Sequence, residues 1–201
     1  MAPKTAEDTR RKLIDAAVES LIERGYAATT GVEVCRRAEL TRGALNHHYP
    51  DLTDLLADAL EAAYADLLPS DRERPESLEA WVRAAHGNLA KPTFKAVLEL
   101  WMASQNSPEI GAAMTQHVLS LAWLFAPDAV LRDLAPDADP ALRTTLYRTV
   151  AEALIGLAVG RASQGGAPLA HEQQVIDFLA QLAAAAERGD LQTVLDPGVT
   201  S

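Results

Sequence analysis

Residues 29–50 read TTGVEVCRRAELTRGALNHHYP, and two threonines and a proline punctuate them. Thr30 stands three residues before Glu33, the spacing of a reciprocal capping pair at a helix start. Val32, Val34 and Ala38 supply apolar positions for that helix, which is short because a second cap, Thr41, follows three residues after Ala38. The next helix, from Arg42 to about His48, stops at Tyr49-Pro50, since the residue before a proline avoids the α region. Two short helices joined by a three-residue turn predict a helix-turn-helix.

Upstream lies the brace for this pair. Leu13, Ile14, Ala17, Val18 and Leu21 form an apolar stripe at helical spacing, Thr5 and Asp8 mark its start, and Gly25 marks its stop. Downstream, Asp51 caps a fourth helix running to about Leu68 through Leu55, Leu56, Ala59, Leu60 and Ala63. The polar, proline-marked PSDRERPE at 69–76 is the expected joint. Beyond it the pattern predicts helices at about 76–90, 93–105, 108–125, 128–134, 140–163 and 171–188. Ser107-Pro108 and Asp139-Pro140 read as cap-plus-proline starts and Gly189 as a stop. SQGGAP at 163–168 reads as a loop, and the tail from Asp190 as frayed. There is no internal repeat and no alternating strand pattern. The expected fold is all-α, with about nine to ten helices. It divides into a head at 1–50, a connecting helix at about 51–68 and a helical body at 69–201.

With 48% hydrophobic but only 5% aromatic residues, Leu, Ala and Val must build the core. No apolar run approaches the ~20 residues that span a bilayer. The opening MAPKTAEDTRRK lacks the apolar stretch of a secretory signal, and a single cysteine, Cys35, forms no internal disulfide. The expectation is a soluble cytoplasmic protein with no membrane partner, and Cys35 is expected to be core packing. Charge is unevenly distributed. Residues 1–55 carry eight Lys/Arg against nine Asp/Glu, whereas the rest of the chain carries ten against nineteen. A near-neutral head on an acidic body leaves nucleic acid open as a partner despite a net charge of −10.

Catalytic chemistry has little foothold. His86, His117 and His171 are isolated in the sequence. His47 and His48, adjacent on a helix, point about 100° apart, with no Cys or carboxylate at ligand spacing. Neither an enzyme nor a metal or other cofactor is expected.

Residues 9–56, TRRKLIDAAVESLIERGYAATTGVEVCRRAELTRGALNHHYPDLTDLL, closely resemble the DNA-binding head of the tetracycline-repressor (TetR) family. The run ERGY-x-x-T-T followed by RRA-x-x-T-x-GAL-x-HHY carries the likeness. The resemblance implies a homodimeric repressor of transcription that binds a pseudo-palindromic double-stranded operator and is released by a small organic effector. Thr30 and Thr41 put hydroxyls at helix N-termini, where phosphate is attracted. Arg42 and Asn46 lie one turn apart on one face, where Arg can read guanine and Asn adenine. Gly43 and Ala44 allow close approach. Arg36 is a candidate phosphate contact, and His47, His48 and Tyr49 meet sugar-phosphate or pack the corner in this family. Three departures stand out. Glu39 occupies a turn position commonly held by glycine, where a left-handed backbone costs about 1 kcal/mol. Asn46 replaces a commonly aromatic residue, and Leu52 replaces a phosphate-gripping lysine. A helical ligand-binding or protein-interaction scaffold that has lost DNA binding is the alternative these departures leave.

In the body, Ala153, Gly156 and Gly160 form a small-residue ridge, and Val175, Leu179, Leu182 and Ala186 recur at heptad-like spacing. The resemblance implies that these two helices pair with a second subunit as a four-helix bundle. Trp101, Gln105, His117 and Tyr147 place polar or aromatic groups on apolar stripes. Such groups are either satisfied internally or line a ligand site.

Overall fold

The computed structural model describes residues 6–67, 75–112, 115 and 131–191. Thr5, the start of the 69–76 joint, much of the expected 108–125 and 128–134 helices with His117, and the tail beyond 191 lie outside the described residues. Among the described residues every regular element is a helix. None of these helices is long and apolar enough to cross a membrane.

Helix α1 (Ala6–Arg24) buries Leu13, Ala16, Ala17, Ser20 and Leu21. It ends where Gly25 adopts φ +77°, the left-handed stop its sequence foretold. A single 3₁₀ turn (Tyr26–Ala28) follows. The buried Thr29 hydroxyl then donates to the Gly25 carbonyl at 2.8 Å and accepts from Ser20 Oγ at 2.9 Å. Helix α2 (Gly31–Ala38) starts at Thr30, whose hydroxyl accepts the Glu33 N–H. Helix α3 (Arg42–His48) starts at Thr41, whose hydroxyl accepts the Ala44 N–H, and ends at extended Tyr49. Helix α4 (Leu52–Leu67) opens where Asp51 accepts the Thr53 N–H at 2.9 Å. Four further helices are α5 (Leu78–Leu89), α6 (Thr93–Ser104), α7 (Pro140–Ser163) and α8 (Glu172–Glu187). Asp139 caps α7 through the Ala141 and Leu142 N–H groups, with Pro140 at the first helical position.

The chain divides into two compact units, the first from within Met1–Leu68 and Lys91–Ser120, the second from within Pro69–Ala90 and Leu121–Ser201. Helix α6 therefore lies past the 69–76 joint in sequence yet packs on α1 and α4 in the first unit. Two α6 side chains fasten it there. Lys95 Nζ donates to the Ile22 carbonyl at 2.6 Å, and Glu99 Oε2 accepts the Tyr26 N–H at 2.8 Å. In the second unit α5, α7 and α8 enclose Leu78, Val82, Val150, Leu154, Ile176 and Leu179.

Glu39 closes α2 in the left-handed region, at φ 54° and ψ 43°. A side chain there crowds the following carbonyl by ~1–2 kcal/mol, while glycine loses ~0.5–1 kcal/mol more backbone entropy on folding. Glu39→Gly is therefore expected to stabilise the head by up to about 1 kcal/mol, seen as a higher urea midpoint. An unchanged or lower midpoint would mean that Glu39 earns its place through contacts of its carboxylate.

Candidate nucleic-acid interface

The outer face of α3 is a continuous polar strip. Thr41, Arg42, Gly43, Asn46 and His47 are exposed, Ala44 and His48 are half-buried, and Leu45 anchors the helix to the core. Among the described residues Arg42 makes no ion pair or hydrogen bond, so its guanidinium stands uncommitted beside Asn46. Among the described residues a side chain at Gly43 would meet only Thr41 Oγ1, at 3.7 Å, so openness rather than crowding defines that position. The His47 and His48 rings sit edge to face with centroids 5.3 Å apart. Nowhere among the described residues do three His, Cys, Asp or Glu gather in a way that would hold a metal. Cys35 is buried, and burial pushes its thiol up from the ordinary range against the opposing pull of Arg42.

Tyr49 is not part of that strip. It is 5% exposed, and its phenol donates to Asp58 Oδ2 on α4, the oxygen that also accepts from Arg10 Nη2 of α1 at 2.7 Å. The extended conformation that ends α3 turns the ring inward, so Tyr49 fixes the end of α3 rather than reaching a ligand. Burial first, then the hydrogen bond to Asp58, pushes its hydroxyl well above the ordinary phenol range.

Arg36 is exposed but committed. It donates Nε–H to Glu33 Oε2 at 2.9 Å and Nη2–H to Glu33 Oε1 at 2.7 Å. The Glu33 carboxylate thus does not reach back to Thr30, as a capping box requires. It lies instead among Arg36, Arg37 at 2.8 Å and Arg24 at 3.5 Å. Hydrogen bonds from Arg36 and then Arg37 hold it down at about 2, so it is ionised throughout the physiological range. Arg37 is also bound by Glu23 at 2.6 Å.

Residues 13–59, which carry all of these groups apart from Arg10, match the sequence model described as bacterial regulatory proteins, tetR family. The HTH-type transcriptional regulator BetI of Burkholderia cenocepacia (strain HI2424) is 30% identical over 122 residues, covering 56% of this chain and 62% of BetI. The chain carries a TetR-type head at residues 13–59. It nonetheless spans less than two thirds of the BetI sequence it matches. The fold agrees. A transcriptional regulator from Rhodococcus sp. Rha1 superposes with a TM-score of 0.67 at 18% identity, covering 87% of this chain and 95% of that one. The multidrug binding protein EbrR complexed with ethidium superposes with a TM-score of 0.59 at 20% identity, over 87% and 98%.

The body departs from its sequence reading in several places. Leu179 and Ala186 are 3% exposed and belong to the second unit's own core, with Val175 and Leu182 packed at its edge. Their heptad spacing marks an inward face, not one left for a partner. Gly160 is covered as well, because a Cβ there would lie 2.8 Å from Leu169 Cδ1 of the same chain. Among the described residues of α7 and α8, the exposed apolar positions include Gly156 and Val159 on α7, near half-buried Ala153, and Phe178 on α8. Phe178, 65% exposed, lies off the heptad stripe, and with Ile176 and Leu179 close by in the sequence nothing there marks it as outward. Of the expected ligand residues, Trp101 is half-buried against Tyr64, with ring centroids 6.5 Å apart in the first unit. Gln105 is exposed, since α6 ends at Ser104 and leaves it as the cap rather than on the apolar stripe. Tyr147 stacks on Trp81 in the second unit, with centroids 5.7 Å apart.

Proposed function

We propose that this protein is a sequence-specific DNA-binding transcriptional regulator, a homodimer that represses from a pseudo-palindromic operator and leaves it when a small organic ligand binds. The observation that carries this reading is the α3 strip, with an uncommitted Arg42 one turn from an exposed Asn46 on a TetR-family head. In the major groove, Arg42 reads a guanine edge through two donors and Asn46 an adjacent adenine. Thr41 and exposed Thr30 contribute contacts to the phosphate backbone, which set register without reading sequence. Two such heads on a two-fold axis meet half-sites about 34–36 Å apart.

Ligand control is supported by the family and by the EbrR complex, with half-buried Tyr147, stacked on Trp81, as aromatic material within the second unit. Ligand and operator then favour different conformations, so by linkage each weakens the other's binding by the same factor.

The test is a selected operator titrated against variants. Arg42→Ala is expected to lose about 1–3 kcal/mol of specific binding and to relax preference at one base pair. Thr41→Ala is expected to weaken operator and random duplex alike, and to lower α3 stability by about 1 kcal/mol through the lost cap. If neither dissociation constant moves, α3 is not the recognition helix. If the wild-type protein shows no salt-sensitive binding to any duplex, the protein-interaction scaffold replaces the regulator.

A further inference from the structure

Glu33 does more than close the start of α2. Its carboxylate holds Arg36 through two parallel N–H···O bonds, the fork geometry in which a guanidinium also grips a phosphate. Among the described residues Glu33 is the one ion-pair partner of Arg36, whose side chain is 63% exposed. Arg37 differs: its side chain is 11% exposed, and it keeps Glu23 at 2.6 Å and Glu19 at 3.9 Å whatever Glu33 does. Val32, one turn before Arg36 on the same side of α2, is 60% exposed, so nothing among the described residues covers this strip. With Arg24, Arg36 and Arg37 set against Glu19, Glu23 and Glu33, the cluster is formally neutral in the free protein. That neutrality adds nothing to the attraction of the head for DNA.

We propose that Glu33 is a resident stand-in for a DNA phosphate: it occupies the Arg36 guanidinium in the free head and yields it to the backbone when the head docks. The proposal rests on the DNA-binding reading above. Because the pair is exposed, its displacement is cheap, and the restraint is modest, on the order of two- to fivefold in affinity for each head. Its effect is to hold down sequence-independent binding while leaving base reading by α3 untouched.

The experiment is fluorescence anisotropy with a labelled duplex of random sequence over a series of KCl concentrations. Circular dichroism melting accompanies each variant. Glu33→Gln is expected to tighten binding about two- to fivefold per head. The slope of log K against log salt should stay near the wild-type value, because Arg36 neutralises the same phosphate in both complexes. In Glu33→Gln/Arg36→Gln the gain is expected to vanish and the slope to fall by about 0.9 per head, as one phosphate contact is lost. A gain that survives in the double variant would show that only an anion was removed, and would overturn the proposal. So would a folded Glu33→Gln protein with wild-type affinity. Wild-type protein without salt-sensitive binding would overturn the DNA-binding reading itself, and this proposal with it.

Discussion

Glu172→Gln is expected to destabilise the second unit by about 3 kcal/mol, read as a fall in the urea midpoint. The Glu172 side chain is 5% exposed. Its Oε1 accepts from Arg161 Nη1 of α7 and from His86 Nε2 of α5 at 2.7 Å, and its Oε2 accepts the Leu169 N–H at 2.8 Å. One carboxylate therefore joins three helices and the loop between α7 and α8. Glutamine keeps the shape but presents an N–H₂ group where donors already converge, and it leaves the Arg161 charge uncompensated at 19% exposure. Replacing both partners, as in Glu172→Leu/Arg161→Leu, is expected to recover part of the loss, because the cost lies in orphaning a charge rather than in lacking a pair. The pH dependence gives an independent check. Burial pushes the Glu172 carboxyl up, but hydrogen bonds from His86, the Leu169 N–H and Arg161 outweigh it and leave it below its ordinary 4.5. A depressed carboxylate stabilises fully above its unfolded pKa and loses that contribution as pH falls through the folded value. The gap between wild type and Glu172→Gln should thus be full at about pH 5 and shrink below about pH 4.5. A gap that persists unchanged into acid would mean that shape, not charge, is responsible.

How much of this was legible in the sequence depended on distance along the chain. The caps at Thr30, Thr41 and Asp139 and the stops at Gly25 and Tyr49-Pro50 involve groups two to four residues apart, and each forms as its local chemistry dictates. Glu39 was legible for the same reason, as an unfavourable residue in a conformation the turn imposes. Glu33 was not. Its spacing suits Thr30, but three guanidinium groups, one of them on α1, compete for its carboxylate and prevail. Periodicity likewise placed Val175, Leu179, Leu182 and Ala186 on one face of α8. It could not say whether that face turns toward α5 and α7 or away from them, and it turns inward. Gly160 had the same ambiguity: a missing side chain leaves room for whatever is nearest, and that is Leu169. Tyr49 illustrates the remaining difficulty, since a tyrosine at a helix end suits a wet surface and a buried corner equally well until its hydroxyl partner, Asp58, is known.

If the protein pairs as the proposed homodimer, Phe178→Asp is expected to convert it to monomer at concentrations where the wild type stays paired. On α7 and α8, Gly156, Val159 and Phe178 are exposed among the described residues, and a standard protein interface buries about 800 Å² on each side. Burying a phenylalanine side chain contributes about 1.5–3 kcal/mol, and a two-fold axis makes every residue count twice. Losing both rings weakens association by about 3–6 kcal/mol, roughly 10² to 10⁴ in dissociation constant. An aspartate buried in the ring's place adds a desolvation cost of its own. Operator affinity should fall in parallel, because a lone head forfeits the effective concentration that its partner supplies. Thermal stability of the monomer should hardly change, since Phe178 is 65% exposed before association. Two glycines on α7 supply the control. A side chain at Gly156 meets nothing within 4 Å among the described residues, so Gly156→Leu should leave the monomer folded and obstruct a second copy. A side chain at Gly160 runs into Leu169 at 2.8 Å, so Gly160→Leu should lower monomer stability instead. Sedimentation that shows wild-type dimers for both Phe178→Asp and Gly156→Leu would move the interface off these two helices.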